Sequence, residues 1–246
     1  MPFRRLASAA FGAALAALAP SSSWAGDVAR LDILGFSSDG NVFAFEEYGI
    51  QDGSGFPYAN RFYIDTRSDR FVTGTPVRVR IDDESATLET ARGKARKEAE
   101  AMTSLPDETL RANAGDLVAS NPVTELSADP FAVRVNPRPV FPAMDPALQI
   151  RLEEIAVPAA GTCQNISDVK GMRLTLLEDK PDAGPQIMHE DKTVPASRGC
   201  PLGYGIGAVQ TLFRPDGKNV LAVMIAVRGT GFEGPDYRWL AVTAQR

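Results

Sequence analysis

From Asp32 onward the chain alternates between apolar and polar positions with a period of two. "DILGF" leads into "SSDG". "NVFAFEEY" then sets Val42, Ala44 and Glu46 on one side of an extended chain and Phe43, Phe45 and Glu47 on the other. Asp39-Gly40, lying between two apolar runs, predicts a hairpin turn, because glycine tolerates the positive φ that such turns require. The glycine-rich "GIQDGSGFPYAN" reads as a long loop. After it come the strand "RFYIDT", the turn "RSDR" and further strand in "FVTGTPVRVRID".

The period then changes to that of a helix. Asp82 or Asp83 is the expected cap of a helix running to about Met102. Leu88, Ala91, Ala95, Ala99 and Met102 form a narrow stripe on it, and the pairs Lys94–Glu98 and Arg96–Glu100 lie on its wet face. A stripe this thin and rich in alanine predicts a helix lying on a sheet. Pro106-Asp107-Glu108 starts a shorter helix that Gly115 can stop. Residues 83–118 are thus expected as a helical insertion. Residues 121–146 are expected as an ordered, proline-rich linker carrying one short strand, "FAVRV".

Beyond Pro146 the pattern is β again: "LQIRLEEIAV", "MRLTLLED", "PQIMHED", "GYGIGAVQTLF", "NVLAVMIAVRG" and "YRWLAVTA" are short and punctuated by Gly, Pro or Asp. The fold class that follows is mainly β: antiparallel sheets, arranged as a partial propeller or a sandwich, with one inserted surface helix segment. Residues 26–246 are expected to form a single domain.

The first 25 residues alter the picture of where the protein works. Arg4 and Arg5 precede an apolar run from Leu6 to Ala19, and Ser23-Trp24-Ala25 fits a cleavage site, so residues 1–25 read as a secretory signal peptide. The run is shorter than the about 20 apolar residues of a membrane span, and no span is expected after cleavage. The expected location is periplasmic or secreted. The formal charge is −5 with a single histidine, and loss of the leader's two arginines makes it more negative. Such a chain is not built to neutralise phosphates, which excludes nucleic acid as a partner. Cys163 and Cys200, an even pair in an exported chain, are expected to form a disulfide. Closing a loop of that size stabilises a fold by about 3–4 kcal/mol in the chain-entropy account.

A short phrase occurs twice. Phe36-x-x-Asp39-Gly40, Val42–Phe45, Gly53-Ser54-Gly55-Phe56 and Arg61-Phe62 recur in order as Phe213-x-x-Asp216-Gly217, Val220–Val223, Gly229-Thr230-Gly231-Phe232 and Arg238-Trp239. This predicts an internal duplication of a strand–loop–strand unit. Both copies resemble the blade signature of TolB-type β-propellers, in which an Asp-Gly turn joins inner strands. The whole chain, through "EEYGIQDGSGFPYANRFYIDT" and "GFEGPDYRWLAVTA", resembles a family of predicted secreted bacterial proteins with no assigned function. Two copies fall short of the four or more blades of a ring. The expectation is therefore that they pair as halves of one sheet or sandwich, with both glycine-aromatic loops on a shared side.

Candidate chemistry is sparse. His189 is the only possible base for a nucleophilic triad, and no GxSxG is present. Glu46-Glu47 and Glu153-Glu154 are adjacent on strands, so each pair splits across two faces. No run has the ligand set of a metal site, and no cofactor motif is found. The two loops remain: Phe56, Tyr58, Arg61 and Phe62 in the first unit, and Phe232, Tyr237, Arg238 and Trp239 in the second. Arginine among aromatics is the composition of binding hot spots. Phe56, Tyr58, Arg61, Phe232, Tyr237 and Arg238 are therefore the expected binding residues of a non-enzymatic protein that contacts an envelope protein or another periplasmic component. The alternative is a periplasmic hydrolase that gathers carboxylates from separate strands, drawn from Asp39, Glu47, Asp52, Glu233 and Asp236.

Overall fold

The computed structural model describes residues 26–158, 161–166, 168–178, 184–232 and 234–246. The expected leader, and Glu233, lie outside them. Sheet I comprises β1 (Arg30–Phe36), β2 (Val42–Ile50), β3 (Pro57–Asp65), β4 (Arg70–Phe71) and β5 (Val77–Arg80). The first four form a meander, and β5 also pairs with β3. Helices α1 (Leu88–Thr103) and α2 (Asp107–Ala112) follow, then β6 (Asp116–Ser120). Sheet III is a second meander of β7 (Ala132–Val135), β8 (Leu148–Ala156), β9 (Lys170–Glu178) and β10 (Gln186–Glu190). Sheet II runs β13-β12-β11-β6, with β11 at Gly203–Leu212, β12 at Val220–Thr230 and β13 at Pro235–Gln245. All strand pairs named are antiparallel. The mainly-β class read from the sequence holds, and no sheet closes into a barrel.

The layers stack in the order helices, sheet I, sheet II, sheet III. Alternation decides which side chain enters which layer. Phe36, Phe43, Phe45 and Phe62 of sheet I meet Val220, Ala222, Met224 and Trp239 of sheet II. The opposite face of sheet I carries Leu34, Ala44, Ala59 and Tyr63, which pack on Ala91, Ala95, Ala99 and Leu110 of the helices. Alanines let α1 lie close to the sheet, as the thin stripe predicts. Leu221, Val223, Ile225 and Val227 of β12 point instead to Leu148, Ile150, Leu152 and Leu174 of sheet III. Strand β12 is covered on both faces, which explains its unbroken apolar run.

The two copies of the repeat fold alike and lie face to face in adjacent sheets. In each, an Asp-Gly turn has glycine at positive φ, +68° at Gly40 and +76° at Gly217. In each, the Asp carboxylate accepts the N–H two residues on, Asn41 from the first copy and Lys218 from the second, both at 3.1 Å. The turns touch, since the Arg214 guanidinium donates to the Ser38 carbonyl at 2.7 Å. At the other end, a Cβ on Gly53 would stand 3.3 Å from the Phe232 ring. Both loops therefore share one side. Of the two expected pairings, the sandwich is the one formed. Phe62 and Trp239, the aromatic members of the two Arg-aromatic pairs, both enter the layer between sheets I and II.

Two boundaries differ from the sequence reading. The cap of α1 is Thr87, whose Oγ1 accepts the Thr90 N–H at 3.2 Å, and not Asp82 or Asp83. Asp83 is engaged locally, accepting from the N–H and hydroxyl of Ser85, so the chain turns before the helix begins. The expected helical insertion also ends early: β6 begins within it and pairs with β11, a partner far along the chain. The cysteines form the expected bond, Cys163–Cys200.

Candidate functional site

Strand β13 is the edge of sheet II, and its register against β12 is unbroken from Pro235 to Gln245. Tyr237 fixes the phase of that edge. Its N–H donates to the Asp27 carbonyl at 2.9 Å and its carbonyl accepts the Ala29 N–H at 3.1 Å, so its backbone faces away from β12. By the alternation of an antiparallel ladder, Trp239, Ala241 and Thr243 face outward too. Sheet I supplies partners for two of these donors. Glu47 of β2 accepts the Trp239 N–H at 2.7 Å, and Asp69, in the turn between β3 and β4, accepts the Thr243 N–H at 2.8 Å. The two carboxylates stand where a neighbouring strand's carbonyls would be.

Beside this edge a cleft of about 660 Å³ opens where all three sheets meet. Sheet I gives Phe45, Glu47, Phe62, Asp69, Arg70, Phe71 and Arg78; sheet II gives Arg238 to Val242; His189, Arg198 and Gly199 close the third side. Volume and lining fall in the range of small-ligand sites, which are mostly apolar with a few placed polar groups. Phe45 stacks on Phe62 with centroids 4.5 Å apart, and the Arg78 guanidinium lies over the Phe62 ring at 5.7 Å. Arg70 and Arg78 are exposed, and among the described residues neither makes an ion pair with a carboxylate, although the charge of Arg78 reaches Glu47.

Burial pushes the Glu47 carboxyl above the usual carboxylate range, against the opposing N–H of Trp239 and amide of Asn60. Burial likewise raises Asp69, opposed by the backbone and hydroxyl donors of Thr243 and by His189. Asp191 goes the other way. Despite burial, it is held low by His189 at 2.9 Å, the Met172 N–H and Arg198. A carboxyl raised in the folded state adds stability that is present below its unfolded pKa and is lost as pH rises through the folded value. Glu47→Gln therefore gains stability relative to the natural protein as pH rises from about 4.5 toward neutrality. Urea midpoints measured across that window check this; a gap moving the opposite way would mean that the fold favours the ionised carboxylate.

The residues picked out by sequence separate into four places. Phe232 is 82% exposed and Phe56 half-buried beside Arg80, both at the loop tips near Gly53. Tyr58 and Arg238 anchor the start of the described chain: the Tyr58 hydroxyl and the Arg238 guanidinium both donate to Asp27, at 3.1 Å and 2.7 Å. Tyr237 flanks a smaller groove with Pro130 and Phe131. Arg61 points the other way, under the helices, where it donates to both oxygens of Asp107 at 2.7 Å and 2.8 Å. Of these residues, only Arg238 lines the large cleft.

The candidate carboxylates disperse as well. Asp39 closes its turn, Asp236 accepts the Asp27 N–H at 2.9 Å, and Asp52 stays in its loop. Of those among the described residues, only Glu47 lines the cleft. Sequence reasoning passed over Asp69, Arg70 and Arg78. One signal was present in Glu47 itself, a carboxylate in phase with Phe43 and Phe45 on an inward face.

A family model described as "Predicted secreted protein (DUF2259)" matches residues 44–245, a span that takes in most of all three sheets. No curated protein matches the chain.

Proposed function

The chain belongs to the DUF2259 family of predicted secreted proteins, and from that premise we propose that it is an exported, non-enzymatic binding protein of the cell envelope. Its place is the periplasm or the exterior. In this reading residues 1–25 are the signal peptide, residues 26–246 act as one mainly-β domain, and the duplicated meanders are blade-like units of an open assembly. The ligand site is the three-sheet cleft, and it takes a molecule with an anionic group on an apolar, flat body. The glycine-aromatic tips at Phe56 and Phe232 are a second contact surface toward an envelope partner.

One observation carries the choice of ligand. Among the described residues, this acidic chain keeps two arginines, Arg70 and Arg78, without an ion pair at the mouth of the three-sheet cleft, against the aromatic wall of Phe62 and Phe71. Guanidinium groups over aromatic faces suit carboxylates with an apolar body. The hydrolase alternative is weaker on geometry. Glu47 and Asp69 bond to N–H groups four residues apart on one strand, and those N–H groups stand about 13 Å apart at the usual rise of a strand. Carboxyl pairs that flank a glycosidic bond stand about 5–9.5 Å apart.

Trp239 is the sole tryptophan after residue 24, so its emission reports on the cleft in the mature chain. Titration of mature protein with benzoate and 2-naphthoate is expected to shift that emission and to saturate, with the larger ring binding tighter. Arg70→Gln/Arg78→Gln is expected to weaken binding at least tenfold. Saturation that is unaltered in the double variant, or no saturation at all, overturns this reading.

A further inference from the structure

Resting on that reading of the cleft, we propose that its natural occupant is an extended acidic peptide segment that adds as a strand to the open edge of β13. Between the two carboxylate caps the edge is unfilled: among the described residues the N–H of Ala241 and the carbonyls of Trp239 and Ala241 have no hydrogen-bond partner. Exposed edges invite pairing, and folded proteins usually cover them. Here the cover is partial and comes from side chains, so the strand direction and spacing remain readable by a peptide backbone.

The chain already uses this edge in the proposed way. Residues Asp27 to Ala29 run parallel to the start of β13, bridged at Val28 and Tyr237, and exchange two backbone hydrogen bonds with Tyr237. They leave at Arg30, where β1 turns into sheet I. From Trp239 onward the same edge faces the cleft. The caps at Glu47 and Asp69 bracket a stretch that accommodates about three residues of added strand, with the ends of a longer peptide running past them.

Charge selects the acidic sequence. Arg78 lies toward the Glu47 end, where it acts electrostatically on that carboxylate, and Arg70 follows Asp69 at the other. Acidic side chains at alternate positions of an added strand would meet these arginines. Phe62 and Phe71 supply the wall for the apolar positions between.

The experiment uses mature protein and an acetylated, amidated peptide of about five residues alternating glutamate and valine, with a lysine–valine peptide as control. Calorimetric titration is expected to show the acidic peptide binding at least tenfold tighter than 2-naphthoate, and the basic one not binding. N-methylation, placed one amide at a time, is expected to weaken binding at least tenfold at alternate amides and to be neutral at those between. An acidic peptide that binds equally well with every amide methylated, or no tighter than naphthoate, overturns strand addition and leaves the anion cleft standing. Failure of peptide and naphthoate alike overturns both.

Discussion

Replacing Arg61 by alanine lowers the stability of the fold by about 3–5 kcal/mol, the range for breaking one side of a buried ion pair. Arg61 is 1% exposed, beneath the helices on the outer face of sheet I. It donates twice to Asp107, and its Nε lies 3.8 Å from Glu46. The loss is larger than for a surface pair because α2 is fastened to the sheet through Asp107. With the guanidinium gone, that carboxylate loses both donors and the cavity fills poorly. Glu46 fares better: Arg92 also holds it, at 3.0 Å and 3.1 Å, while bonding Asp32. Arg61→Met is therefore expected to recover part of the loss by filling the space. Urea unfolding followed by circular dichroism measures both. A change within about 1 kcal/mol for the alanine variant would place Arg61 in the class of exposed pairs.

Phe45→Ala is the second large effect, about 3–5 kcal/mol, the usual cost of removing a buried aromatic ring. Phe45 is fully buried in the layer where the two copies of the repeat face one another, stacked on Phe62 with only 5° between ring planes. The ring also forms part of the cleft wall. The variant is accordingly expected to shift Trp239 emission to the red as water enters, besides lowering the urea midpoint. An unchanged midpoint would mean that the sheets do not pack through this layer in solution.

Much of the fold was legible because the signals are local. Alternation around Phe43 and Phe45, glycine in the two Asp-Gly turns, and the alanine stripe of α1 each depend on a few neighbouring residues. The likeness of the two Asp-Gly turns and their strands was legible because both stretches obey the same local rules. What escaped depends on distant partners. Asp116 to Ser120 became a strand because β11 offered an edge. Thr87 replaced Asp83 as the cap because Asp83 was already satisfied by Ser85.

The site was less legible for the same reason. Glu47 and Trp239 are 192 positions apart, and Asp69 and Thr243 are 174 apart. Only the stacking of sheet I on sheet II brings those carboxylates to the β13 edge. Composition drew attention to Arg61 and Arg238 equally. Strand phase then sent Arg61 beneath the helices, while Arg238 curls round the strand to Asp27. Arg70 and Arg78 carried no local mark, and what distinguishes them among the described residues is that they stand at the mouth of the cleft without an ion pair.

The most direct measurement is a backbone amide NMR titration of 15N-labelled mature protein with the acidic glutamate–valine peptide. The largest shifts are expected at Trp239, Ala241 and Thr243, with smaller ones at Arg70 and Arg78. Shifts confined to the loops around Gly53 and Phe232, with the β13 amides unmoved, would contradict the account and move the binding surface to the tips.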